Sequence, residues 1–190
     1  MKKVLSVLKL FCTLLVISVG INFFEKTYKV IHYVIFGGVK SKVFKMSFPD
    51  NWNDGYYYFL SFIVLGLMGY LMYLLLVFRK VIFNFSKEHV FTKENCNRLR
   101  TVGKGLIIYG TVILCFTFIL GFILSTDPDL SSISDPAVGQ GYKVGYKIGR
   151  ALGISISNVL PIFVVALFVQ FISFLVVKGN VLQEENNLTI

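Results

Sequence analysis

Four long apolar runs, separated by polar and charged segments, set the pattern of the chain. They extend from Val4 to Phe24, Tyr57 to Phe78, Gly105 to Ser125 and Ala151 to Val177. A helix needs about 20 predominantly apolar residues to cross the roughly 30 Å hydrocarbon layer of a bilayer, and each run is long enough. The last three carry no charged side chain, and Lys9 lies near the basic end of the first. The fourth is the longest and can tilt. The pattern predicts an all-α integral membrane protein: one membrane domain of four transmembrane helices, at about 4–24, 57–78, 105–125 and 151–177.

The segments between the runs add detail. The start, MKKVLSVLKLFCTLLVISVG, imitates a secretory signal, but Lys9 interrupts the apolar stretch and no small-x-small cleavage site follows. A retained first helix is expected. Beyond it, TYKVIHYVIF and VKSKVFKMSF flank Gly37 and Gly38. Two β-branched and aromatic runs about a two-glycine turn predict a small extracytoplasmic β-hairpin. The alternative is that the first helix continues to about Phe36 and a loop follows. FPDNWNDG is turn chemistry leading into an interfacial belt of Tyr56, Tyr57 and Tyr58.

Between the second and third runs, Arg79 to Ser86 can prolong the second helix. Thr92 suits an N-cap, Glu94 falls in the first turn near the positive end of the helix dipole, and Phe91 and Cys96 stand at staple positions. No proline interrupts Lys93 to Leu124, so the third helix would be about 48 Å long and about three turns of it would project as a stalk, spanning about residues 79–104. Asp135 and Pro136 form a helix start for the fourth run. Gly179 and Asn180 are expected to stop that helix and leave a tail over 178–190.

Composition agrees with a membrane class. Of 190 residues 55% are hydrophobic and 15% charged, against about 25% charged in soluble domains. The net charge is +9. Because lysine and arginine fall between the apolar runs, this charge fits a membrane surface, and no direct nucleic acid binding is expected. With both termini in the cytoplasm, eleven of the 19 basic residues lie inside and eight outside. The dense cluster from Arg79 to Lys104 occupies a short loop, where the positive-inside rule is strongest.

Candidate chemistry is sparse. Cys12, Cys96 and Cys115 have no metal or disulfide spacing, and His32 and His89 fall on opposite sides in this topology. No metalloprotease, hydrolase or phosphate-loop motif is present, so neither an enzyme nor a cofactor is expected. Asp127, Asp129 and Asp135 fit a solvated turn better than a weak calcium site. The uncharged centres of the last three helices argue against ion-coupled transport. Gly141, Gly145, Gly149 and Gly153 recur every four residues, forming a smooth helix face opposite Lys143, Lys147 and Arg150. The bland use of that face is packing within the chain; the alternatives are a homo-oligomer and a pore-lining or lipid-binding role. Pro161 should kink the fourth helix, and Asn158 should bond to a neighbouring one.

Two segments carry a family resemblance. VFTKENCNRLR precedes the third run and LQEENNLTI closes the chain. Both resemble the bacterial membrane family known as domain of unknown function 2975. Its inner-loop pattern is matched by Phe91, Thr92, Glu94, Asn95, Leu99 and Arg100. Its tail pattern is matched by Leu182, Glu184, Glu185, Asn187, Leu188, Thr189 and Ile190, with Asn187 where aspartate is more usual. The resemblance implies a four-helix protein of the bacterial inner membrane, often encoded beside a Cro/repressor-type helix-turn-helix regulator. The expectation is a non-catalytic, membrane-embedded regulatory or interaction protein that partners such a regulator. The other expectation is a small oligomeric channel or transporter subunit. The expected working surface is the stalk, including Arg98, with the tail from Leu182 to Ile190 docked on Lys93 to Lys104.

Overall fold

The structure, a computed structural model, describes residues 2–43, 52–87, 90–129 and 135–188. Four α-helices follow one another: α1 (Lys2–Phe36), α2 (Asp54–Ser86), α3 (Lys93–Ile123) and α4 (Pro136–Leu188). Each contains a window long and apolar enough to cross a membrane, and only 11% to 28% of each window is buried within the chain. Side chains such as Phe11, Ile17, Phe62, Leu167 and Phe168 are openly exposed. Apolar surface on this scale needs cover, and lipid supplies it. The chain is a multi-pass membrane protein.

The helices outrun the apolar stretches. At 1.5 Å per residue, the 53 residues of α4 extend about 80 Å, well beyond the hydrocarbon layer. The hairpin expected about Gly37 and Gly38 does not form among the described residues; α1 instead continues to Phe36. Glu25 and Lys29 pair one turn apart at 2.5 Å. Tyr28, His32 and Phe36 are likewise spaced by four, with successive ring centroids 5.9 and 5.0 Å apart. These pairs favour helix, and a continued helix satisfies its own backbone where a two-stranded hairpin would leave exposed edges. β-Propensity is a weaker preference than either effect. Gly37 and Gly38 adopt φ of +70° and +106°, so they do turn the chain, but as the end of a helix. The second half of the expected hairpin lies partly in 44–51, outside the described residues.

The chain forms two compact units: Met1–Gly105 with Phe168–Ile190, and Leu106–Leu167. In the first, α1 and α2 pack antiparallel. The Lys9 ammonium lies 4.1 Å from the Phe83 ring centre at one end, and Tyr33 meets Tyr57 edge-on at 5.0 Å at the other. Leu74, Val81, Ile82, Leu99 and Val102 are buried. Close approach needs bare backbone on α3: a Cβ on Gly105 would sit 2.5 Å from Leu74 Cδ2, and one on Gly103 would sit 2.6 Å from Gln170 Cγ. In the second unit, Ala151, Ser155 and Val159 form a buried ridge at four-residue spacing on α4. A Cβ on Gly121 would lie 3.2 Å from the Ala151 Cα. The hydroxyls of Thr117 and Ser155 donate to Ile113 and Ala151 carbonyls of their own helices, both at 2.8 Å, so neither is left without a partner in an apolar setting.

Candidate functional site

The inner-loop motif forms the turn between α2 and α3. Thr92 caps α3, its hydroxyl accepting from the Asn95 backbone N–H at 3.2 Å. Asn95 is fully buried. Its side-chain oxygen accepts from the Asn84 amide at 2.9 Å, and its own amide donates to the Val90 carbonyl at 3.3 Å. One side chain thus ties together the end of α2, the connecting turn and the start of α3. Leu99 is buried one turn further on. Exposed Glu94 is taken by half-buried Arg98 at 2.5 Å, one turn along the helix. Arg100 is exposed.

What meets this turn from α4 is Gly179. The Phe91 ring lies directly over it, in the space a Cβ would fill. Gly179 and Asn180 therefore do not stop the helix. The bare backbone admits the Phe91 ring, Asn180 supports the next turn by donating to Glu184 at 2.9 Å, and α4 runs on to Leu188. The free tail expected over 178–190 is helix through most of its length. Leu182, Glu184 and Glu185 are exposed on it, and the apolar part of the expected dock rests on Leu188 and Ile190. The Leu188 side chain, Thr189 and Ile190 lie outside the described residues.

Beside this turn, α3 and the end of α4 enclose a cavity of about 320 Å³. Arg100, Lys104 and Asn97 line it from α3; Gln170, Ser173 and Phe174 line it from α4. The Ser173 hydroxyl donates to the Cys96 carbonyl at 3.4 Å.

In the second unit the two faces of the glycine-rich segment are used in reverse of expectation. A Cβ at Gly141, Gly145, Gly149 or Gly153 would meet nothing within 4 Å. The opposite face makes the contacts. Lys143 and Lys147 pair with Asp127 at 2.5 and 2.8 Å, and Arg150 donates to the Thr126 hydroxyl at 2.8 Å. The two ammonium groups beside Asp127, Lys143 foremost, hold its carboxyl below the usual carboxylate range. The glycines fall away from that loop and meet no packing partner among the described residues. Pro161 lies inside an unbroken helix, and Asn158 donates to Ile154 of its own helix at 2.9 Å. Asp135 accepts from Ala137 N–H at 2.9 Å as the start of α4.

A second polar cluster lies at the other end of the first unit. Lys40, only 5% exposed, reaches Asp54 at 3.0 Å and donates to the Trp52 carbonyl at 2.7 Å. Tyr33 also donates to Asp54 at 2.9 Å, and Ser41 shares a 2.9 Å hydrogen bond with buried Tyr57. The cluster fastens the segment after α1 to the start of α2. Sequence reasoning missed it because a lysine in a polar loop carries no sign of burial. It also missed Asn84 and Gly103, and it took Gly179 for a helix stop. The one available signal was glycine within a helix, a costly placement unless another group needs the room.

The model of a protein family described as "Protein of unknown function (DUF2975)" matches residues 8–190. No curated protein and no solved structure matches the chain.

Proposed function

The chain belongs to that family, and on this premise we propose a non-catalytic interaction protein of the bacterial inner membrane whose working surface is the end of the first unit formed by the α2–α3 turn and the last turns of α4. In this reading both termini are cytoplasmic. Lys9, Arg79, Lys80, Lys87, Lys93, Arg98, Arg100, Lys104 and Lys178 all belong to that end of the unit, which the positive-inside rule assigns to the cytoplasm.

The carrying observation is a division of labour within the motifs. Thr92, Asn95 and Leu99 are spent on holding the turn. Phe91, Arg100, Leu182, Glu184 and Glu185 remain exposed. Exposed Phe91 and Leu182 at a polar end, flanked by both signs of charge, supply the apolar centre and polar rim of a protein contact. The partner is a cytoplasmic protein, and the helix-turn-helix regulator implied by the resemblance is the first candidate.

A photo-crosslinking residue placed at Leu182 tests this in native membranes, with Phe168, an exposed position within the apolar run, as control. The expected result is one discrete protein adduct from Leu182 and none from Phe168. Glu184→Lys with Glu185→Lys should abolish it. Adducts only between copies of the chain would favour the oligomeric channel instead, and no protein adduct at Leu182 would contradict the proposal.

A further inference from the structure

The cavity between α3 and α4 has two unlike walls. The register is set by Gly103 against Gln170 and by the bond from Ser173 to the Cys96 carbonyl. At this level α3 is already basic and polar, with Asn97, Arg100 and Lys104, while α4 remains uncharged as far as Val177. A charged wall therefore faces an uncharged one, Gln170, Ser173, Phe174 and Val177, at the edge of the hydrocarbon span of α3.

The charged wall is short of counter-charge. Among the described residues, no carboxylate lines the cavity. Glu94, the acidic residue in the first turn of α3, is held by Arg98. Arg100 and Lys104 make no ion pair among the described residues, and they stand one turn apart on the same helix face. Like charges at that spacing repel, so the arrangement favours occupation by an anion. Arginine offers a planar fork that matches phosphate geometry, and lysine adds a point charge. The Gln170 amide stands at the same level and supplies further N–H donors. On the other wall, Phe171, Phe174 and Val177 are exposed along one stripe of α4, and the Lys178 ammonium lies 5.9 Å from the Phe174 ring centre.

We propose that this cavity seats the phosphate headgroup of an anionic phospholipid, whose acyl chains run from there toward the membrane centre past Phe171. The headgroup phosphate binds Arg100 and Lys104, and the size of the cavity suits a small headgroup rather than a protein segment. This inference rests on the membrane-spanning helices and not on the proposed protein partner. Basic pockets between transmembrane helices are suited to such headgroups in general.

Native mass spectrometry of the full chain released from mild detergent tests the site. Dioleoylphosphatidylglycerol and dioleoylphosphatidylcholine are offered in equal amounts. The unmutated protein should retain the glycerol lipid in preference. Arg100→Gln with Lys104→Gln should weaken retention roughly tenfold or more, given the strength of each basic residue near a headgroup. Arg100→Lys should lose less, and Lys80→Gln, outside the cavity, should change nothing. Both substituted residues are exposed, so the double variant should melt no lower than the unmutated protein. Equal retention of the two lipids overturns the proposal, as does full retention by the double variant or equal loss in Lys80→Gln. Displacement of the lipid by millimolar inorganic phosphate would reassign the cavity to a soluble anion and overturn it as well.

Discussion

The side-chain amide of Asn84, near the end of α2, donates a 2.9 Å hydrogen bond to the side-chain oxygen of Asn95, in the first turn of α3. Asn95 is fully buried, so neither water nor lipid can replace its partner. The bond gives asparagine at this position a physical reason: a side chain with both a donor and an acceptor bridges Asn84 and the Val90 carbonyl.

Asn95→Ala should therefore destabilise the protein by about 1–3 kcal/mol, because two buried polar groups lose a partner. A double-mutant cycle with Asn84→Ala should give coupling of at least about 0.5 kcal/mol. Thermal unfolding in detergent reads both. Additive losses would mean that the two side chains act independently.

Glycines on α3 and on the start of α4 should respond with opposite signs. Gly103→Ala forces a methyl group against Gln170 and should cost about 1–3 kcal/mol. Gly145→Ala meets open space and should stabilise the helix by up to about 1 kcal/mol. Melting temperatures of the two variants check the signs. If Gly145→Leu also dissociates an oligomer in size-exclusion chromatography, the ladder serves contact between copies.

The loop after α3 should loosen in acid. The folded-state pKa of Asp127 is lowered by Lys143 and Lys147. Its contribution is therefore present above the unfolded carboxylate value near 3.8 and is lost as pH falls through the lower folded value. A spin label at Thr126, read from pH 7 down to pH 3, should gain mobility only at the acid end. Asp127→Asn should be mobile throughout, with no acid transition. Mobility that is independent of pH in the unmutated protein would remove the ion pairs from the account.

The apolar runs made the four helices legible, because lipid tolerates long uncharged stretches and little else. Thr92 and Asp135 likewise marked where α3 and α4 start, since capping is a local matter. The ends were less legible. Phe24 ends the apolar run but not α1, whose polar continuation is held by pairs such as Glu25 with Lys29. Gly179 reads as a helix stop until the Phe91 ring is placed over it. The regular ladder from Gly141 to Gly153 drew attention to small residues, yet the close approaches fall at Gly103, Gly105, Gly110 and Gly121, where the spacing is irregular. A repeat in one helix says nothing of its partner, and the neighbours of α3, such as Leu74 for Gly105 and Gln170 for Gly103, select the glycines that need to be bare. The candidate surface was legible as a motif, but the sorting of its residues into clamp and exposed face required Asn84, which lies outside both motif segments.

In the proposed topology the basic end of the first unit, carrying the α2–α3 turn, faces the cytoplasm. Single cysteines at Lys87 and Val39, exposed at opposite ends of that unit, test it most directly in a background lacking Cys12, Cys96 and Cys115. An impermeant maleimide applied to intact spheroplasts should label Val39→Cys at once and Lys87→Cys only after permeabilisation. Labelling of Lys87→Cys but not Val39→Cys on intact spheroplasts would contradict the claim.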